Sequence, residues 1–437
     1  MGKSGNFYSY WQYFLCVLNW RYLNQNNQKK GGITLSKKVV IVGTMDTKGN
    51  EFSFVNDIIK AQGLETLIID AGIFEPTLKP DIGNEEVCKA SGHNLAKLRE
   101  TNDRGVNVVA MSEGAAKIVQ GLLEKDEVGG IISLGGSGGS SIAARVMREV
   151  PVGIPKILVS TVAAGDVSPY VGVKDIMMMY SIVDVAGLNN VLKEVLTNAS
   201  LAMAGIVKNK KPIPASKKPL IGASMFGVTT PCVTTAREYL EAQGYEVVVF
   251  HATGAGGRSL EALTESGYFK GILDITTTEW CDELVGGVFP GGPDRLNAAA
   301  LNGIPQVVSV GALDMVNFGP ESTVPTQFAD RNLYVHNATV TLMRTTVEEN
   351  KKLGEIIGKK VSQSTGAAAF FIPLKGVSMI DAEGMPFEGK EEDAALFNAL
   401  RENIDTSRVE LVEMDNNIND DEFAIAMAKK LIELINK

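Results

Sequence analysis

Short apolar runs alternate with segments of helical hydrophobic spacing from residue 37 onward. Residues 39–42 form a continuous β-branched run, typical of a parallel strand buried on both faces, and residues 52–62 have the spacing of an amphipathic helix. Further strands are predicted at residues 66–69, 131–134, 157–160, 307–310, 370–373 and 409–414, and further helices at 392–401 and 421–435. Because strands that alternate with helices form parallel sheets with right-handed crossovers, the pattern predicts an α/β fold.

The pattern occurs twice along the chain. The Lys-Lys pair that ends at Lys38 returns at Lys218, an offset of 180 positions, and the tripeptide Ala-Gln-Gly that ends at Gly63 returns at Gly244, an offset of 181. Later strands correspond as well, with spacers of different length. The sequence therefore predicts two consecutive Rossmann-like α/β units with mostly parallel sheets, related by internal duplication.

Composition divides the chain into four segments. Residues 1–36 are crowded with aromatic, Asn, Gln and Lys residues, and we expect them to form a disordered extension. Residues 37–207 are predicted to be the first α/β subdomain, and residues 220–437 the second. Residues 208–219 read KNKKPIPASKKP, a Lys- and Pro-rich stretch that cannot continue a helix and is typical of a linker.

Glycine is in excess, with 45 glycines in 437 residues, or about 10% against a usual level of roughly 7%. The net charge of −9 disfavours general attachment to nucleic acid, so we expect a bound phosphate to be held by local backbone N–H groups. The four cysteines lie far apart, as is typical of reduced thiols. The apolar core of residues 1–36 is too short for a signal peptide or a membrane span, so a cytoplasmic protein without membrane contact is expected.

The most prominent glycine-rich segment follows the strand predicted at 131–134, and we expect the next helix to start near Ser141. Glycines let a backbone approach a ligand closely and adopt positive φ, and a helix N-terminus attracts anions. We therefore predict a loop that holds phosphate groups, with a tight strand–helix turn that binds nothing as the alternative. The predicted loop contains Gly135, Gly136, Ser137, Gly138, Gly139 and Ser140.

A second polar segment follows the first strand of the chain. Gly43 and Thr44 are expected to face the same crevice as the glycine-rich loop, because ligands bind beyond the carboxyl ends of parallel strands. Asp46 supplies a carboxylate for Mg²⁺ and Thr47 a hydroxyl for a phosphate oxygen. An ordinary N-cap, in which Asp46 or Thr47 caps the following helix, is the compatible alternative.

Other strand ends are predicted to complete this crevice. Thr161 and Asp166 follow the strand at 157–160, where Thr161 would donate a hydroxyl and Asp166 would be the second carboxylate near Mg²⁺. Segments 70–72 and 112–114 are expected to add further small polar groups to the crevice.

The second half offers different chemistry. His251 and Arg258 lie between a strand and a helix, Glu279 follows a run of three threonines, and Asp314 follows a later strand. Together they predict an acid–base site for a small acidic or phosphorylated substrate, with Glu279 as the base. A hydrogen-bonded structural histidine is the alternative for His251.

Several uncommon sequence words occur in an order that resembles the Tm-1-like family (UPF0261), among them GTMDTKGNE, GGSGGSS, MFGVTTPCV, FHATGAGGRSLE, DITTTEW and GALDMVNFG. The resemblance covers residues 37–437. It implies two Rossmann-like subdomains, a homodimer and ATP binding with Mg²⁺. The leading hypothesis is thus an ATP-binding protein, and the alternative is a metabolic enzyme whose chemistry lies in the second half.

Overall fold

The computed structural model describes residues 37–101, 103–211 and 216–437. The extension predicted for residues 1–36 lies outside these ranges. The chain divides into two compact units at residues 213 and 214, within the segment predicted as the linker. The last helix of the first unit continues into that segment and ends at Asn209.

The first unit is built around a five-stranded sheet of order β2-β1-β3-β4-β5, and every strand pair in it is parallel. Its strands are β1 (Lys38–Gly43), β2 (Thr66–Asp70), β3 (Val128–Gly135), β4 (Lys156–Ser160) and β5 (Ile176–Tyr180). Its helices are α1 (Met45–Ala61), α2 (Asn84–Ala90), α3 (Leu95–Thr101), α4 (Arg104–Glu124), α5 (Ser137–Arg148), α6 (Ser168–Val171) and α7 (Asn190–Asn209).

The second unit has a six-stranded parallel sheet of order β14-β13-β9-β8-β6-β7 and a three-stranded antiparallel sheet of order β10-β12-β11. Its strands are β6 (Leu220–Met225), β7 (Glu246–His251), β8 (Gly271–Thr276), β9 (Gln306–Gly311), β10 (Met315–Phe318), β11 (Leu333–Asn337), β12 (Val340–Arg344), β13 (Ala368–Pro373) and β14 (Val409–Met414). Its helices are α8 (Thr230–Ala242), α9 (Ala255–Glu265), α10 (Glu279–Val285), α11 (Ala298–Leu301), α12 (Val347–Val361), α13 (Lys390–Asn403) and α14 (Asp421–Ile435).

The prediction of two mostly parallel α/β units is confirmed. Both sheets have the doubly wound order 2-1-3-4-5 when β6, β7, β8, β9 and β13 are matched in turn to β1 to β5, and β14 extends the second sheet. The matching order supports internal duplication. The repeated Ala-Gln-Gly ends a helix in each unit, where Gly63 has φ of 76° and Gly244 of 92°. Only glycine adopts this left-handed conformation at low cost after a helix end.

Two features differ from the sequence prediction. The antiparallel sheet of β10, β11 and β12 was not predicted, because its strands are short and lack a clear alternation of apolar and polar residues. Residues 112–114 lie in the middle of α4 rather than at a strand end, so they are not at the position predicted for the crevice. Within the described ranges, no helix is both long and apolar enough to cross a membrane.

Candidate functional site

The carboxyl ends of β1 and β3 form the centre of the candidate site in the first unit. These two strands are parallel neighbours, with Ile41 opposite Ile132, so Gly43 and Gly135 reach the same edge of the sheet. The strand order reverses between them, and ligands of doubly wound proteins bind at this point. The structure therefore brings together the two segments that the sequence predicted to share a crevice.

The glycine-rich segment begins a helix rather than forming a loop. Helix α5 starts at Ser137 instead of near Ser141, and Gly136 is its N-cap without a side-chain hydrogen bond. The N–H of Ser140 donates to the carbonyl of Gly136 at 2.9 Å, so it is used within the helix. The N–H groups of Ser137, Gly138 and Gly139 precede it and have no intrahelical acceptor. They carry the partial positive charge of the helix N-terminus.

The glycines of this segment allow close approach of neighbouring atoms and do not adopt unusual backbone angles. Neither Gly135 nor Gly139 has positive φ, contrary to the conformational part of the prediction. A Cβ at Gly135 would instead lie 3.1 Å from the Cα of Gly139, where the strand end passes the first turn of the helix. At the end of β1, a Cβ at Gly43 would lie 2.0 Å from the ring of Phe52.

Two groups border the first turn of α5. The hydroxyl of Thr161 lies 3.8 Å from the position that a Cβ at Gly136 would occupy. The Nη2 atom of Arg104 lies 3.0 Å from the corresponding position at Gly138. Arg104 is exposed and makes no ion pair or hydrogen bond with a residue of the described ranges. Thr161 was predicted at this site, whereas Arg104 was not.

The serines of α5 differ in their availability. Ser140 is fully buried, and its hydroxyl lies 2.6 Å from that of Ser160, so this predicted ligand group is paired within the protein. Ser137 is exposed at the helix start. Of these two predicted serines, Ser137 is therefore the one whose hydroxyl a ligand can reach.

The segment after β1 is held mainly by its own hydrogen bonds. The N-cap of α1 is Thr44, not Asp46 or Thr47, and its hydroxyl lies 2.8 Å from that of Thr47. One carboxylate oxygen of Asp46 accepts the N–H groups of Ile73 and Phe74 at 3.1 and 3.0 Å. Asp46 thus fixes the chain that follows β2.

Asp70, at the end of β2, lies close to Asp46. Its Oδ1 accepts the N–H groups of Met45 at 3.0 Å and Gly72 at 2.8 Å, and a Cβ at Gly72 would lie 2.6 Å from the carboxylate carbon of Asp46. Burial raises the pKa of Asp70. Asp46 Oδ1 and Asp70 Oδ2 are both buried, and neither has a hydrogen-bond partner among the described residues.

Asp166, the second predicted magnesium ligand, has a different setting. It is exposed, and its Oδ1 accepts the N–H of Ser168, the first residue of the short helix α6, at 2.9 Å. Hydrogen bonds from the side chain and backbone of Ser168 lower the pKa of Asp166. Its observed partners are those of a turn that starts a helix.

No three His, Cys, Asp or Glu residues in the described part of the chain are arranged to hold a metal ion.

In the second unit, Glu279 is the centre of a buried charge cluster. Its Oε1 accepts the N–H groups of Gly254 at 2.6 Å and Gly257 at 3.0 Å, and its Oε2 accepts from Arg295 Nε at 2.7 Å. Glu279 and Arg295 are fully buried. An internal carboxylate thus occupies the N-terminus of α9, and the predicted role of Glu279 as a base conflicts with these contacts.

Arg258 and Asp314, which the sequence predicted to share an acid–base site with Glu279, make separate contacts. Arg258 is exposed and donates to the carbonyl of Pro290 at 2.7 Å. Asp314 is fully buried, accepts from the hydroxyl of Ser378 at 2.8 Å and belongs to a network with Arg344. Burial raises the pKa of Asp314. Neither residue forms a hydrogen bond with His251 or Glu279 in the described structure.

His251 lies at the end of β7 and borders a cavity of about 240 Å³. Its ring stacks on Phe226, with ring centroids 5.5 Å apart and an angle of 26° between the planes. His336 on β11 borders the same cavity, so two of the three histidines of the chain meet here. No sequence spacing links them, because they lie 85 positions apart in different sheets.

Residues 37–212 match the N-terminal domain, and residues 218–435 the C-terminal domain, of the uncharacterised protein family UPF0261. A UPF0261 protein of Clostridium tetani is 58% identical over 404 residues, which cover 92% of this chain and all of the relative. One of Mesorhizobium japonicum is 46% identical over 90% of this chain and 98% of the relative.

The ToMV resistance protein Tm-1(GCR237) of Solanum lycopersicum is 38% identical over 92% of this chain, which spans 56% of the tomato protein. Among solved structures, UDP-N-acetylglucosamine 2-epimerase from Rickettsia bellii aligns with a TM-score of 0.21 and 11% sequence identity. The alignment covers 63% of this chain and 79% of the epimerase chain, and the likeness is too weak to indicate a function. The family matches and the relatives agree over both units, and the chain belongs to the UPF0261 family, to which the tomato Tm-1 proteins are related.

Proposed function

We propose that the protein binds ATP in its first unit, with the phosphates on the first turn of α5. The observation that carries the proposal is the convergence of three groups at that turn: unpaired N–H groups, the hydroxyl of Thr161 and the guanidinium of Arg104. Each donates hydrogen bonds, and phosphate oxygens are strong acceptors that bind Arg and helix N-termini. The resemblance to the Tm-1-like family implies ATP as the nucleotide.

The second unit supplies an internal comparison. There, the carboxylate of Glu279 satisfies the N-terminus of α9, so an anion from the chain itself occupies the position. In the first unit no side-chain oxygen in the described ranges accepts from the N–H groups of Ser137, Gly138 or Gly139. This difference supports an external anion as the ligand of α5.

A charge change at the site tests the proposal. Gly138→Asp would place a carboxylate beside Arg104, where it would repel phosphate and pair with the guanidinium. Arg104→Met removes the cation alone, and loss of a charge-assisted hydrogen bond lowers affinity roughly 10- to 100-fold. Titration calorimetry with ATP is expected to give weaker binding by both variants.

Lys117→Met is the matched control, because Lys117 is another exposed cation of α4, more than three turns from Arg104. We expect it to bind ATP as the wild type does. Equal affinities of the wild type, Arg104→Met and Gly138→Asp would contradict the assignment to α5.

The carboxylates of Asp46 in α1 and Asp70 at the end of β2 fit a Mg²⁺ ion that accompanies the nucleotide. Mg²⁺ is commonly held by one or two carboxylates together with substrate phosphates. Asp46 and Asp70 each have one buried oxygen without a partner among the described residues, and both carboxylates approach Gly72. We therefore propose Asp70, in place of Asp166, as the partner of Asp46 in holding the ion.

Removal of one carboxylate charge tests the cation site. Asp70→Asn keeps the Oδ1 that accepts from Met45 and Gly72, but lowers the negative charge available to Mg²⁺. We expect ATP affinity, measured by calorimetry with and without Mg²⁺, to lose most of its Mg²⁺ dependence in this variant. Asp166→Asn is expected to retain that dependence. The reverse result would restore Asp166 as the ligand.

A homodimer in the cytoplasm is also proposed on the basis of the family resemblance. Sedimentation velocity of the purified protein would test the dimer, and a monomer at micromolar concentration would contradict it.

A further inference from the structure

The cavity beside His251 is the strongest unexplained feature of the second unit. It has a volume of about 240 Å³ and lies within a single unit. One wall is formed where β6 and β7 end, since Phe226 directly follows β6 and His251 is the last residue of β7. In open parallel sheets, ligands bind beyond these carboxyl ends. The cavity therefore lies at the carboxyl edge of the second parallel sheet, beside β6, while the reversal of strand order lies between β6 and β8.

The opposite wall comes from the hairpin of β11 and β12. The register of this hairpin shifts between Val335 and Asn337, so His336 lies at a β-bulge. Bulges are common next to functional sites, where they redirect a side chain. Here the redirected residue is the second imidazole that borders the cavity.

The lining of the cavity combines aromatic walls with a few polar groups. Phe226, Phe289 and Leu342 supply apolar surface. Neither His251 nor His336 forms a side-chain hydrogen bond with another described residue. The Oδ1 of Asn337 accepts from the N–H and hydroxyl of Thr339 at 2.9 Å each, which leaves the amide NH₂ of Asn337 as a donor.

The polar groups of the residues that line the cavity limit which ligands it can bind. No carboxylate is among the described residues that border the cavity, whereas two imidazoles and an amide provide hydrogen-bond donors. A cavity of about 150 Å³ holds benzene, so a larger one accommodates a single aromatic ring with a small substituent. The aromatic rings in the lining, those of Phe226, Phe289 and the two histidines, favour a flat ligand.

We propose that this cavity binds a single-ring aromatic carboxylate. The ring packs between Phe226 and Phe289, and the carboxylate accepts hydrogen bonds from His251, His336 and the amide of Asn337. This site is separate from the nucleotide site proposed in the first unit and does not depend on it.

Fluorine NMR tests the proposal with 4-fluorobenzoate as the probe. The full-length wild-type protein is expected to broaden the probe signal in a saturable way that unlabelled benzoate reverses. Fluorobenzene, which has no carboxylate, is expected to bind at least roughly 10-fold more weakly, the usual effect of a hydrogen bond to a charged group. Comparable binding of fluorobenzene would overturn the assignment of the carboxylate.

Variants locate the binding. His336→Gln and His251→Gln are each expected to lower probe affinity roughly 10-fold, and Val340→Trp is expected to abolish binding by filling the cavity. His93→Gln is the matched control, because His93 is the third histidine of the chain and its ring bonds to Ser91 in the first unit. Melting curves report whether each variant is folded.

Further outcomes of these measurements would overturn the proposal. The first is the absence of saturable broadening by the folded wild type, and the second is unchanged affinity in Val340→Trp and both histidine variants. Gly138→Asp separates this proposal from the nucleotide site, because that variant is expected to lose ATP affinity and to keep probe affinity. Equal loss of probe binding in Gly138→Asp would place the probe in the first unit and overturn the proposal as well.

Discussion

Arg295→Met is expected to lower the free energy of unfolding by about 3–5 kcal/mol, the usual result of removing one partner from a buried ion pair. Arg295 is 1% exposed and bonds to both oxygens of Asp274, at 2.5 and 2.6 Å, and to Glu279 at 2.7 Å. A third carboxylate, Glu261, lies 3.1 Å from its Nη1. The substitution would leave three carboxylates in the protein interior with no cation between them.

The same change would also weaken a turn of the backbone. Leu296 is buried and has φ of 73°, an unfavourable backbone angle for a residue with a large side chain. Glu261 accepts the N–H groups of Leu296 and Ala298, both at 2.7 Å, and also binds Arg295. Arg295 therefore helps to hold the carboxylate that stabilises this strained turn.

Urea denaturation at neutral pH measures the effect of Arg295→Met. Arg258→Met is the matched control, because the guanidinium of Arg258 is exposed and bonds to one backbone carbonyl. Surface changes of this kind alter stability by less than about 0.5 kcal/mol. Arg295→Lys keeps the charge and is expected to fall between the two. A loss in Arg295→Met no larger than that in Arg258→Met would show that the cluster contributes little to stability.

The buried charge cluster around Arg295 and Glu279 also shows what sequence patterns can and cannot predict. Hydrophobic spacing placed the parallel strands correctly, because a strand buried on both faces requires a continuous apolar run. The sequence also identified Glu279 as a candidate residue after three threonines, but it could not pair that residue with Arg295. Arg295 lies 16 positions further along, outside any helix or strand, where no periodicity relates two residues.

The proposed nucleotide site could likewise be predicted from the sequence only in part. Gly43, Gly135 and Thr161 were predicted together because each follows a parallel strand, and the order of the sheet brings those ends to one edge. Arg104 begins a helix and reaches the site from outside the sheet, so no strand-end rule could identify it. The hairpin that carries His336 was missed for a related reason, because short antiparallel strands give a weak signal.

The excess of glycine was interpreted mainly as a sign of ligand contact, but helix packing explains part of it. Gly114 was assigned to the crevice, yet it lies inside α4, where α2 crosses closely. A Cβ at Gly114 would lie 1.9 Å from the carbonyl oxygen of Val87 in α2. The oxygen belongs to the backbone of α2, and the backbone of α4 sets the position of the Cβ, so no side-chain rotation can relieve the clash.

Gly114→Ala is therefore expected to lower the free energy of unfolding by about 1–3 kcal/mol or more, because an added methyl group forces packed backbones apart. Gly121→Ala is its matched control, the same substitution two turns further along α4, where a Cβ would meet no atom within 4 Å. Alanine is favoured over glycine in a helix by roughly 0.5–1 kcal/mol, so this variant should gain stability. Urea denaturation of both variants would thus give changes of opposite sign. A gain in stability of Gly114→Ala would contradict the close crossing of α2 and α4.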